Sequence, residues 1–189
     1  ALARLIEKRG WRRLLGWVSV TLMLLSCAYT WQAVNTRITQ EGITPAIDGI
    51  AWLKDSNEQV YAAITWLNEH AAQEDVLIEA WGDEYAANES RFATMTGIPS
   101  VMGWYGHEVQ WRGQTAELVQ RKNDIDTFYK GQATAQELRD IIEAYSVDWI
   151  IYGPAEKQQY NLSELNPHLA EVAQIAFAND QVIILSTTK

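Results

Sequence analysis

The chain is poor in the residues that mark most catalytic and metal centres. It has one cysteine, Cys27, and three histidines in 189 residues. A disulfide framework is therefore excluded, and no HxxxH or paired-cysteine spacing offers metal ligands. The nucleophile-elbow, phosphate-loop and dinucleotide patterns GxSxG, GxxxxGK[ST] and GxGxxG are missing, as are repeats and low-complexity segments. Basic charge is scarce after Trp31, where ten lysines and arginines face 23 acidic side chains. An acidic body cannot neutralise phosphates along a strand, so nucleic acid is set aside as a partner.

The first 31 residues are built differently. Arg4, Lys8, Arg9, Arg12 and Arg13 stand against Glu7 alone. Then Leu14–Trp31, LLGWVSVTLMLLSCAYTW, runs eighteen residues without a charge. As a helix it spans about 27 Å, close to the hydrocarbon thickness of a bilayer. Trp11 and Trp17 near one end, with Tyr29 and Trp31 at the other, suit the headgroup level. The basic flank predicts a cytoplasmic N-terminal side, with residues after about 35 outside the cytoplasm. A cleavable signal peptide shares this layout. Leu24-Leu25-Ser26-Cys27 also faintly resembles a lipoprotein box, although Leu25 and Ser26 match poorly. The aromatic end cap, and Ala1 in place of Met, favour the last transmembrane helix of a longer protein.

Three parts are expected: a basic flank and transmembrane helix over 1–34, a connector over 35–55, and an α/β domain over 56–189. The connector holds Gly42, Pro45 and Gly49 and reads as extended up to a turn near Asp48–Leu53. Ser56-Asn57-Glu58-Gln59 offers a capping box for a helix over about Asn57–Ala72, burying Val60, Ile64 and Leu67 with Trp66 at the stripe's edge. Val76–Ala80 is a short buried strand. A short helix over Glu89–Met95 stops at Gly97 and Pro99, before a second strand at Ser100–Met102. Helices over Thr115–Tyr129 and Thr134–Tyr145 follow, the latter opened by the box Thr134-Ala135-Gln136-Glu137. Val147–Tyr152 is a third strand, ended by Gly153-Pro154. A polar helix over Ala155–Tyr160 and a turn started by Asn166-Pro167 come next. Gln174–Phe177 and Val182–Leu185 around Asn179-Asp180 form a hairpin. Alternating helices and strands predict a three-layer-like α/β domain, its sheet mostly parallel with an antiparallel C-terminal hairpin.

One stretch stands apart. Arg91–Gly113 crowds two tryptophans, a tyrosine, a histidine, a glutamate and two arginines among four glycines and one proline. It reads as a functional loop, combining backbone freedom with polar and aromatic groups. In parallel sheets ligands sit beyond the carboxyl ends of strands. Three such ends carry polar groups here: Glu79 with Trp81 and Asp83, then Trp104–Arg112, then Tyr152. Arginine offers a planar fork for carboxylate or phosphate, and histidine exchanges protons near neutrality. Indole faces stack on sugar rings or cations. The bland readings are that Glu79 pairs with Arg91 or Arg112 to hold the loop, and that the loop is stapled by its own Glu108–Arg112 pair. Glu79 and Glu108 on one rim would also suit a glycosidase, which needs two carboxylates at a set separation. The sequons Asn88-Glu89-Ser90 and Asn161-Leu162-Ser163 carry no argument by themselves.

The strings VLIEAWGDEYAANESRFATMTGIPSVMGWYGHEVQWRG, RKNDIDTFY and YSVDWIIYG followed by AEKQQY resemble the C-terminal part of the Chlor_Arch_YYY family of large polytopic membrane proteins. The resemblance covers roughly Asp48 to Tyr160. Its function is not established, and its layout is similar to that of GT-C glycosyltransferases, membrane enzymes that use a lipid-phosphate-linked sugar donor. The resemblance implies Glu79, Arg91, Trp104, His107, Glu108, Trp111 and Arg112 as ligand-site positions. It assigns no catalytic residue to this chain, because the catalytic acid of GT-C enzymes lies on an early loop outside it. No cofactor is expected here, and a divalent metal would belong to the absent membrane portion. The implied partners are a membrane lipid or lipid-linked sugar and the remaining transmembrane portion. Where the family has an arginine after a glutamate, this chain has Glu156-Lys157, which keeps the charge and loses the fork. Three readings follow: a glycosyltransferase's extracytoplasmic domain, a non-catalytic structural or interaction module, and a stand-alone glycoside hydrolase.

Overall fold

The computed structural model describes residues 2–40, 48–86 and 88–187. It divides into two compact units, Ala1–Trp52 and Leu53–Lys189. The first is dominated by one helix, α1 (Leu2–Gln40). Within its segment Gly10–Thr39 an 18-residue stretch reaches mean hydropathy 1.5 and is not buried at all, so the helix is long and apolar enough to cross a membrane. Residues 35–40, expected in the connector, continue this helix because nothing in Trp31–Gln40 breaks it: there is no glycine or proline. The expected extended stretch with Gly42 and Pro45 lies outside the described residues.

The second unit is a mixed four-stranded sheet with helices. Helix α2 (Ala51–Ser56) buries Leu53. Helix α3 (Glu58–His70) buries Val60, Ala63, Ile64 and Leu67, as the apolar spacing requires. Its cap is Asn57 rather than Ser56: the Asn57 side chain accepts from the amide of Val60 at 3.1 Å and donates to Gln181 at 2.9 Å. An asparagine one position on satisfies the same orphan amides and reaches the hairpin as well. Strand β1 (Leu77–Ile78) leads to α4 (Arg91–Thr96), which stops at Gly97 in a left-handed conformation (φ +76°) that favours glycine. Next come α5 (Tyr105–Arg112), α6 (Ala116–Tyr129) and α7 (Ala135–Tyr145). The Thr134–Glu137 capping box forms in full. Strand β2 (Trp149–Tyr152), α8 (Pro154–Tyr160) and a 3-10 turn (Pro167–Glu171) precede β3 (Ala173–Ala178) and β4 (Ile183–Thr187).

The strand order is β1-β2-β4-β3. Strands β1 and β2 run parallel, whereas β4 lies antiparallel to both β2 and β3. The class and the C-terminal hairpin match expectation, but the parallel share is smaller than the element order suggested. Ser100–Met102 makes only a bridge, Ser100 to Leu77, because Pro99 has no amide and Gly103 follows at once. The hairpin also inserts next to β2 and supplies two antiparallel pairs. Leu77 and Ile78 point to opposite faces and both are fully buried, so helices cover the sheet on either side. One face carries Ile78, Ile150 and Leu185 with Ile125, Phe128 and Leu138 of α6 and α7. On the other, Trp66 of α3 meets the rings of Trp149 and Phe177.

Candidate ligand-binding site

The expected loop is a helix over its most crowded part. Trp104, His107, Glu108, Trp111 and Arg112 fall at i, i+3, i+4, i+7 and i+8, the spacing that lines one helical face. Gly106 inside a helix costs about 1 kcal/mol relative to alanine, yet the segment is pinned at its start. Gly82 bridges in parallel to Trp104, and the amide of Tyr105 donates to the Gly82 carbonyl at 2.7 Å. A Cβ at Gly82 would lie 2.7 Å from that of Glu89 and 3.0 Å from that of Ala86, so only glycine fits this closure. Helix α5 is therefore anchored at the carboxyl end of β1.

Those five residues line one cleft of about 400 Å³ with Ser90, Ala93, Thr94 and Gly103. The His107 ring lies 5.2 Å from that of Trp104 and 6.3 Å from that of Trp111, and Tyr85 meets His107 edge-on at 5.0 Å. Trp111 is 84% exposed, so an indole face is offered to solvent beside the cleft. Arg112 pairs with Glu108 at 3.2 Å, one turn back, and stays 71% exposed. An exposed i,i+4 pair contributes about 0.3–0.5 kcal/mol, too little to lock the guanidinium in place. The rim can thus stack a flat face and hold a hydroxyl or anion without unfolding anything.

Glu79 and Arg91 lie elsewhere. They line a second, smaller cavity of about 110 Å³ with Glu156, Asn88 and Phe92. Glu79 is 1% exposed and accepts from the amides of Phe92 and Ala93, both at 2.9 Å. It thereby caps α4 from the end of β1, its carboxyl oxygens taking up two amides that the helix start leaves unpaired. Burial pushes its pKa up to about 8; the Ala93 and Phe92 amides and the Arg91 charge pull down, and the Glu156 carboxylate adds to the rise. Arg91 also bonds the Asn88 side chain. Glu108 lines no part of this cavity, so the two glutamates of the glycosidase reading do not share a cleft.

Two residues of interest are not among the site residues expected from the sequence. Glu156 is as buried as Glu79, accepting from the amides of Ala80 and Gly153 at 2.8 Å each, and burial raises its pKa as well. Its position at the third residue after Gly153, behind Pro154, was a legible cap signal. Lys157 beside it donates to the Gln181 carbonyl at 2.8 Å. Ser90 is the other. It caps α4 at φ +53° without using its side chain, since Glu79 already serves those amides. Its hydroxyl is buried and has no hydrogen-bond partner. No sequence signal announced that. A left-handed non-glycine residue costs about 1–2 kcal/mol. Ser90→Gly should therefore stabilise the protein by about 1 kcal/mol in urea unfolding; a loss of stability would show that the serine is held for packing.

Of the remaining strand-end groups, Asp83 is exposed, and Trp81 and Tyr152 are tied into the core. The Trp81 indole donates to Asp126 at 2.8 Å, Tyr160 donates to the same oxygen at 3.1 Å, and Lys122 lies 4.2 Å over the Trp81 ring. Tyr152 donates to the Glu164 carbonyl at 2.6 Å. Among the described residues, no group of three His, Cys, Asp or Glu is placed to hold a metal ion.

Fold and cleft together define an acidic α/β domain that follows an apolar helix able to span a membrane and carries an aromatic cleft on one helix face. No family model matches the chain, so none supports the family expected from its sequence strings, and no curated protein matches. Among solved structures it is similar to the C-terminal globular domain of oligosaccharyltransferase from Archaeoglobus fulgidus. The identity is 13% and the TM-score 0.42, over 77% of this chain and 100% of that one.

Proposed function

We propose that this chain is the extracytoplasmic α/β domain, with one membrane helix, of a polytopic cell-envelope protein of the Chlor_Arch_YYY type. The whole protein would act as a GT-C-like membrane glycosyltransferase, and this part would bind the sugar of a lipid-linked ligand rather than supply the catalytic acid. The observation that carries the reading is the cleft along α5, where Trp104, His107 and Trp111 flank Glu108 and Arg112. Indole faces match the apolar faces of a sugar ring, and a carboxylate–guanidinium pair matches its hydroxyls. The basic flank and the apolar run support the outward orientation of the domain. A divalent metal, if the whole protein uses one, falls to the membrane portion.

The test is binding of a polyprenyl-phosphate sugar to the full chain in detergent. Arg112→Ala should weaken it at least fivefold with the melting temperature almost unchanged, since this side chain is 71% exposed and its ion pair is worth little. Equal affinity in the two proteins would count against the reading.

A further inference from the structure

The cleft along α5 does not end at Arg112. Ser100, Val101, Met102, Thr115, Glu117, Leu118 and Arg121 line another cleft, of about 270 Å³, whose wall includes Gly103, Glu108 and Arg112. All three belong to the aromatic cleft too. The Glu108–Arg112 pair thus stands on the ridge between an aromatic compartment and a polar one. Arg121 is held firmly at the far side. It donates to the Val101 carbonyl at 3.1 Å and to Glu117 at 2.7 Å, and its guanidinium lies 5.8 Å from the Tyr145 ring centre. Its side chain remains about one-third exposed, and its Glu117 partner is on the open rim.

We infer that the polar compartment is a subsite for an anionic phosphate or diphosphate attached to the sugar, bound between Arg112 and Arg121; this rests on the sugar-binding reading of the aromatic cleft. Two guanidinium forks on one compartment present paired N–H donors that match phosphate oxygens. Each is paired with a carboxylate one turn away, the half-buried Glu108 or the exposed Glu117, and pairs open to solvent on at least one side exchange partners at little cost. Those carboxylates also set a penalty that a neutral ligand does not meet. Arg112 on the ridge can serve both compartments, placing the phosphate next to the sugar that bears it.

The experiment compares glucose, glucose 1-phosphate and inorganic phosphate by calorimetry on the full chain in detergent. Vesicles containing a polyprenyl-phosphate sugar distinguish a lipid-borne from a soluble phosphate. Glucose 1-phosphate should bind at least tenfold more tightly than glucose, and that advantage should shrink as salt is raised. Glu117→Gln, on the exposed rim, should widen the advantage about threefold. Arg121→Gln should reduce it to twofold or less while the affinity for glucose stays as in the wild type. Equal affinity for sugar and sugar phosphate, or an advantage untouched by Glu117→Gln, would overturn the subsite and leave the sugar reading standing. Failure of every sugar to bind would overturn the sugar reading, and the subsite with it.

Discussion

Trp111→Ala should lower sugar affinity about tenfold without lowering the melting temperature. The indole is 84% exposed, so removing it opens no cavity, and substitutions of this kind stay within about ±0.5 kcal/mol. What it loses is a rigid stacking face worth about 1.4 kcal/mol in binding, the equivalent of tenfold. Trp104→Ala should cut affinity by a similar factor, and here some stability should go too. That ring is half-buried, packs on Tyr85 and His107, and donates to the Glu89 carbonyl at 3.4 Å. Because both indoles meet His107, the double variant should lose less than the product of the two single losses. Calorimetric titration of methyl glycosides into the full chain reads all three. An unchanged affinity in Trp111→Ala would remove the stacking platform from the site. A loss in binding to plain lipid vesicles with sugar affinity intact would reassign the indole to the bilayer surface.

The second large effect is on folding. Stability should be greatest near pH 5 and fall as pH rises towards 8. Glu79 holds its proton to about pH 8 in the folded chain against about 4.5 when unfolded, chiefly because it is buried. Between those values the folded state binds more protons, so raising pH favours unfolding, by up to about 1.4 kcal/mol for each pH unit. Glu156 is shifted the same way by burial, and its carboxylate adds to the rise at Glu79. Asp126 sets the acid side. Burial pushes its pKa up, but hydrogen bonds from Trp81 and Tyr160 and the charges of Lys122 and Lys130 outweigh that and hold it below 3.8. Its contribution is present above the unfolded value and is lost as pH falls through the lowered one. Urea midpoints from pH 3.5 to 8.5 would trace the resulting maximum. Glu79→Gln should flatten the alkaline limb and leave the acid limb in place. A wild-type midpoint constant from pH 5 to 8 would mean the buried pair is charged in the native state.

The same burial explains why Glu79 sits apart from the cleft along α5. An acid after Val-Leu-Ile at a strand end reads as a ligand group or as an ion-pair partner of Arg91 or Arg112, whereas in the structure it caps a helix from outside. The deciding fact is where residues 92 and 93 pass, thirteen and fourteen positions later in the chain. Arg91 follows Glu79 into the smaller cavity because it opens the helix that Glu79 caps. The five cleft residues were legible as a group, but the four glycines suggested a loop. The spacing 104, 107, 108, 111 and 112 was in the sequence throughout. It is a helical stripe with polar and aromatic occupants instead of aliphatic ones, a pattern that hydrophobic periodicity does not detect.

What the sequence determined by itself is local. A charge-free run of eighteen residues sets a membrane-length helix, capping residues at Thr115, Thr134 and Asn166 set helix starts, and alternating elements set the α/β class. These signals act within a few residues, through backbone amides and side-chain period. Tertiary structure alone decided that the hairpin enters beside β2, that Glu79 and Glu156 line one small cavity, and that α5 faces Ser90 and Thr94 across a cleft. Each of those rests on contacts between residues far apart in the chain, and no local preference encodes which distant partner will be met.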